Sequence, residues 1–291
     1  MTVKKIDLFN DWIDIISQEL LSDNYNILGL TADEISIQYF SDKKKIIKSK
    51  IRQIKKSDSF TCPDYLIEGL KLIEKKIING ENLRPHQSRS FKRLNSKDGM
   101  LFDWGIYHLH LGTKIERDGF INRTGPLLYL LIDDNFAYLI DIQDHGKWSK
   151  QEFLKIIDEN WPEIIELNKI QSNNIVGLEK NFNDQEIADL RKANINVLVE
   201  ISPGNIVINP GGGIAASGDS MDAVRKHIDN KKELKKLEKT IIDNPEKFLI
   251  KVFKNGLDFV KNPDLEFKMT KQISVHQIDE INNNFTVYLN R

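Results

Sequence analysis

The chain has 291 residues, enough for one large domain or two ordinary ones. Its 40% hydrophobic content supplies a core, and its 29% charged content excludes a membrane-embedded or fibrous protein. With 42 basic and 43 acidic residues the net charge is −1, so only a local concentration of charge can point to a polyanionic partner.

The N-terminal segment "MTVKKIDLFNDWIDIISQELL" starts basic and turns apolar, but Asp7, Asp11, Asp14 and Glu19 interrupt it and exclude a secretory signal. Ile6, Phe9, Trp12, Ile13, Ile16 and Leu20 instead recur at helical spacing, which predicts an amphipathic first helix. In "TADEIS" Thr31 stands three residues before Glu34, a capping box opening a second helix whose apolar spacing runs on through Tyr39, Ile46, Ile47, Ile51 and Ile54. A third helix, "CPDYLIEGLKLIEKKIING", starts near Pro63 and closes at Gly80. Its Cys62 is the only cysteine, which excludes an internal disulfide and a thiolate metal cage and fits a reducing compartment. "ENLRPHQSRSFKRLNSKDG" (81–99) has no apolar period and reads as a loop or linker.

From residue 101 the apolar period switches to two. "LFDWGIYHLHLG", "PLLYLLID" and "FAYLIDIQDH" read as three strands, the last two forming a hairpin around a short "DN" connection. "PLLYLLI" is the longest apolar run and is far too short to span a bilayer, so the expected location is cytoplasmic, with no membrane partner. "SKQEFLKIIDENWPEIIEL" follows as a helix, with Ser149 as its cap and a break at Pro162. After a polar stretch (171–175), "NDQEIADLRKAN" reads as a short helix and "INVLVEISPGNIVINP" as strand, turn and strand. A glycine-rich loop, "GGGIAASGDS", leads into a helix near 220–242, with a further helical piece at 245–256. "FKMTKQISVHQ" and "NFTVYLN" close the chain as edge strands. The expected fold is α+β in three parts: a helical region (1–90), a central antiparallel sheet with packed helices (91–170), and a smaller mixed α/β region (171–291).

The strand "GIYHLHLG" carries the main chemical signal. Alternation puts Ile106, His108 and His110 on one face and Tyr107, Leu109 and Leu111 on the other, with the imidazoles about 7 Å apart along the strand. A buried imidazole needs a polar partner. Three readings stay open: structural histidines, an acid–base pair titrating near neutrality, or a two-ligand metal unit completed by His145 or Asp141 around a divalent ion. Arg123 precedes the next strand, where a guanidinium can approach the histidines if the strands pair. His227, on a charged helix, and His276, in a tail strand, read as surface residues.

The meander with its leading arginine, "RTGPLLYLLIDDNFAYLIDIQDHGKW", resembles the closing sheet of RelE-type bacterial ribonuclease toxins over about residues 101–160. That resemblance implies a small twisted sheet with packed helices and metal-independent RNA cleavage by side chains projecting from it. One histidine would take the ribose 2′-hydroxyl proton, the other would protonate the leaving 5′-oxygen, and Arg123 would neutralise the phosphoryl oxygens. It also implies a toxin or phage-defence role, with RNA and a cognate protein as partners. The combination "WGIYHLHLG…RTGPLLY" also resembles uncharacterised bacterial proteins, which implies no activity.

Two basic segments fit that expectation. Residues 41–57 hold eight Lys/Arg and one acid, with Lys43, Lys44 and Lys45 in a row. Residues 84–97 hold five basic residues and no acid, including Arg84, Arg89, Lys92 and Arg93. Both can face a phosphate backbone; the bland alternative is a solvated helix face and a linker. The glycine run lacks the spacing of a phosphate or dinucleotide loop, yet amides of Gly211, Gly212 and Gly213, with Ser217, ahead of a helix can hold an anion. The leading expectation is a metal-independent endoribonuclease without cofactor. The alternatives are a metal-dependent hydrolase and a non-enzymatic interaction protein.

Overall fold

Strand β1 (Thr2–Ile6) runs into helix α1 (Leu8–Ser22), where Asp7 caps the first turn by accepting the Asn10 amide at 3.1 Å. The computed structural model describes residues 2–170, 177–244, 264–271 and 283–290. Helix α2 (Ala32–Lys45) opens on the expected capping box: Glu34 accepts the Thr31 amide at 2.8 Å, and Thr31 Oγ1 accepts the Glu34 amide at 3.3 Å. The helix stops at Lys45, and strand β2 (Gln53–Lys56) contains Ile54, which the helical spacing had claimed. Isoleucine is branched at Cβ and suits a strand, so the spacing alone misassigned it. Helix α3 (Ile67–Asn79) ends at Gly80, whose φ of 68° is left-handed.

Residues 81–99 form no linker. Two short 3₁₀ turns, Arg84–His86 and Arg89–Lys92, bury Leu83, His86, Gln87, Phe91 and Leu94. Helix α4 (Gly99–Trp104) then takes residues expected in a strand, because Asp98 caps it and Gly105, at φ 76°, stops it. Strand β3 is therefore only Tyr107–His110, followed by β4 (Pro126–Ile132) and β5 (Phe136–Asp144). Helices α5 (Glu152–Asn160) and α6 (Pro162–Ile165) are separated at Pro162 as expected, and Ser149 lies before α5 without capping it. Helix α7 (Asp184–Lys192), the hairpin of β6 (Leu198–Ser202) and β7 (Asn205–Ile208), helix α8 (Met221–Asp243), and strands β8 (Asp264–Lys271) and β9 (Asn283–Asn290) complete the order. The expected helical piece at 245–256 and His276 lie outside the described residues.

The fold is α+β. It divides into two compact units, Met1–Phe40 with Arg225–Arg291, and Ser41–Val224. In the first unit β1 pairs parallel with β8 and β8 antiparallel with β9, which makes β8 a central strand. Helix α1 buries Leu8, Phe9, Trp12, Ile13, Ile16 and Leu20, the face its spacing predicted. His227 is buried here, contrary to its surface expectation, and its Nδ1 lies 2.8 Å from Ser36 Oγ.

The second unit is built on a four-stranded sheet in the order β2-β5-β4-β3. Its β3, β4 and β5 form the expected antiparallel meander, and β2 adds a parallel edge on β5. Both faces are covered, which explains why "PLLYLLI" is apolar throughout rather than alternating. Leu127, Tyr129 and Leu131 pack with Trp104 and with Phe153 and Ile157 of α5. Leu128 and Leu130 pack with Leu70, Ile73 and Ile77 of α3 on the other side. Each such buried side chain contributes about 1.5–3 kcal/mol relative to exposure. No helix among the described residues is long and apolar enough to cross a membrane.

Candidate active site

The histidines are aimed by the helix-to-strand joint that precedes them. Asp98 Oδ1 accepts the Leu101 amide at 3.0 Å and starts α4; Gly105 ends it, and the chain turns straight into β3. Strand β3 then pairs with β4 in the register His108 opposite Tyr129 and His110 opposite Leu127. Leu109 and Leu111 enter the α3-side core and Ile106 the α5-side core, so the expected strand parity is observed.

His108 and His110 both line a pocket of about 600 Å³ within the second unit, together with Arg123, Asp98, His145 and Trp148. That volume suits a ligand of nucleotide size. Asp98 and Trp148 carried no signal before folding; they arrive from a helix cap and from the loop after β5. Arg123 is exposed and makes no ion pair or hydrogen bond among the described residues, so its guanidinium is free at the pocket.

The two imidazoles are chemically different. His110 is 7% exposed, and burial, then His108, Arg123, His145 and Arg89, push its pKa down to about 4. It is therefore neutral at neutral pH. His108 is also pushed below its ordinary value by burial, against the opposing pull of Asp98, whose Oδ2 lies 3.6 Å from His108 Nδ1. Asp98 thus favours a proton on His108 over one on His110. Both Nδ1 atoms are buried with no hydrogen-bond partner in the protein, a costly state. His86, 0% exposed, braces the strand from behind: its Nδ1 donates to the His110 carbonyl at 2.9 Å.

A second buried network holds the wall opposite the sheet. Arg191 of α7 donates from Nε and Nη2 to Asp103 Oδ2 at 3.0 and 2.7 Å, and from Nη1 to Trp148 O and to Ser149 Oγ. Its guanidinium also stacks 4.4 Å from the Trp104 ring. Arg191 was missed because "IADLRKAN" shows only a solvated helix pattern.

Several expected site residues belong elsewhere. Lys45 cannot meet a phosphate: it is 0% exposed, and its ammonium donates to Leu94 O, Ser96 O and Ser96 Oγ. Lys44 donates to Gly211 O and pairs with Asp222 at 2.5 Å. Arg84 donates to Phe91 O at 2.7 Å. Arg89 is bound by Asp118 and Glu116, and Lys92 by Asp118 at 3.1 Å, so acids from the loop before β4 pair with two of the five basic residues expected to meet RNA. Lys43 and Arg93 remain exposed.

The glycine loop is no anion nest. Gly211 N donates to Asp103 O, Gly212 N to Asn209 O, and Gly213 N to Phe102 O, so the amides satisfy carbonyls at the end of α4 and of a turn. Ser217 Oγ is spent on Asp219 at 2.7 Å. Of the alternative metal set, His145 lines the pocket with His108 and His110, and Asp141 does not. Asp141 lies opposite Tyr129 on β5, two strands from His108, and its carboxylate accepts from Gln143 at 2.6 Å. Among the described residues no three His, Cys, Asp or Glu side chains are grouped to hold a metal ion.

The chain matches no model of a known protein family, and no significant match joins it to a curated protein or a solved structure.

Proposed function

We propose that this pocket is the active site of a metal-independent endoribonuclease. The observation that carries the reading is the meeting of His108, His110 and a free Arg123 in one pocket. Arg123 and Lys97 line it, the latter donating to Ser217 O, while Arg191 is matched by Asp103 and Lys192 by Asp189; Asp98 is the one carboxylate among the lining residues, which favours an anionic substrate.

The chemistry follows from the unequal histidines. Neutral His110 takes the proton of a ribose 2′-hydroxyl, and the freed oxygen attacks the adjacent phosphorus. The bond from phosphorus to the 5′-oxygen breaks, leaving a 2′,3′-cyclic phosphate. Burial disfavours a proton on His108 and Asp98 opposes that loss; the protonated form of His108 delivers its proton to the departing 5′-oxygen. Arg123 offsets charge on the phosphoryl oxygens as the fifth bond forms. A phosphate beside His110 also raises its proton affinity, so the base strengthens when substrate is seated. Phosphate contact falls to Arg123 and Lys97 rather than to Lys45 or Arg89.

Single-stranded RNA incubated with the purified protein in a chelator tests this. Cleavage should fall about 10²- to 10⁴-fold in His110→Ala and in His108→Ala, and by about 10²-fold in Arg123→Ala. In a bacterial host a nuclease of toxin or phage-defence type arrests growth, and His110→Ala should relieve the arrest. Equal activity in all the variants, or no cleavage by the wild type, contradicts the reading.

A further inference from the structure

The mechanism above uses the polar wall of the pocket and leaves its aromatic wall without a task. Trp148 lines the same cavity as His108, His110 and Arg123 and is half-buried. Its ring centroid is 4.5 Å from that of His108 and 4.9 Å from that of His145. None of its ring neighbours lies flat on the indole: His108 is tilted by 54°, Tyr129, at 6.0 Å, by 59°, and His145 meets it edge-on at 83°. The main chain beneath it is clamped, because Arg191 donates to Trp148 O and, at 2.9 Å, to Ser149 Oγ while its own fork is fixed on buried Asp103. A rigid, partly exposed indole beside a cationic cavity is the arrangement on which nucleobases stack.

We propose that Trp148 is the platform for the substrate's nucleobase, so that the pocket selects a whole nucleotide rather than any phosphate ester. This rests on the anion-binding, acid–base reading of the same pocket. A base against Trp148 and a phosphate against His110 and Arg123 are the two ends of one ribonucleotide, and the adjoining His108 then faces the phosphate's leaving side. Stacking of this kind accepts any base, so RNA is cut with weak rather than strict sequence preference.

Indole emission reads the contact directly. Trp12, Trp104 and Trp161 are 4%, 1% and 5% exposed, which leaves Trp148 as the half-buried tryptophan that a ligand can touch. The full chain is titrated with each of the four ribonucleoside 3′-phosphates and, separately, with inorganic phosphate, using both fluorescence and calorimetry. All four nucleotides should quench emission and bind about tenfold or more tightly than phosphate. Trp148→Leu should lose that advantage while keeping its phosphate affinity, and Trp148→Phe, still aromatic, should retain most of it by calorimetry. Phosphate binding without any nucleotide advantage, or an advantage that survives in Trp148→Leu, overturns the platform and leaves the anion pocket standing. Failure of both phosphate and nucleotides to bind overturns the anion pocket itself, and the platform with it.

Discussion

Replacing His110 with glutamine should make the protein less sensitive to acid, by an amount the pocket sets. In the folded chain His110 is held at about 4 against an ordinary 6.5, first by burial and then by His108 and Arg123. As pH falls below about 6.5, the unfolded chain takes up a proton here and the native one does not. Stability rises with pH wherever the unfolded state binds more protons, so this site weakens the fold on acidification. One unit of pKa shift is about 1.36 kcal/mol, and the difference between 6.5 and about 4 therefore costs about 3 kcal/mol once pH 4 is reached. Glutamine fills similar space and has no proton to gain. Urea denaturation of both proteins near pH 7.5 and near pH 4 reads the effect together with the change it makes at the neighbouring His108, whose charge acts on His110. Wild type should lose about 3 kcal/mol more than His110→Gln across that interval. Equal losses would place His110 near its ordinary value, exposed to water, and the argument for a dry, neutral base would fail.

Asp98 does two jobs that two substitutions separate. Asp98→Asn keeps the cap on Leu101 and should leave stability within about 0.5 kcal/mol, while removing the charge near His108 and lowering its pKa further, as read by imidazole NMR; Asp98→Ala should cost about 1 kcal/mol in addition. Lys45→Met should destabilise the fold by about 3–5 kcal/mol in urea, since the carbonyls of Leu94 and Ser96 lose their donor; a loss under about 1 kcal/mol would contradict its buried role. In Gly211→Ala a Cβ would stand 2.3 Å from Gly105 N and 2.6 Å from Leu101 O, backbone atoms that cannot swing aside. The variant should lose about 2 kcal/mol or more, seen as a lower Tm.

Strand parity was legible in the sequence because it follows from a period of two and nothing else. The apolar face of α1, the Thr31–Glu34 cap and the break at Pro162 were legible for the same reason: each depends on residues within one or two turns. The pocket was not. Asp98, Arg123, Trp148 and Arg191 come from a cap, two loops and a distant helix, and no local spacing links them. Nor does composition distinguish Lys43, which is exposed, from Lys45 two residues later, which is wholly buried. Arg89 and Lys92 looked free because the acids that pair with them, Glu116 and Asp118, lie beyond β3 in the chain. The glycine run looked like a ligand loop because close packing against a helix end demands glycine as much as anion binding does.

The sharpest measurement compares an RNA oligonucleotide with the same strand carrying 2′-deoxyribose at every position, each incubated with the wild-type protein in excess chelator. Transfer of the 2′-proton to His110 requires that the RNA be cut to products ending in 2′,3′-cyclic phosphate and 5′-hydroxyl, and that the deoxy strand remain whole. Cleavage of both strands, or RNA products bearing 5′-phosphate, would contradict the proposed chemistry at His108 and His110.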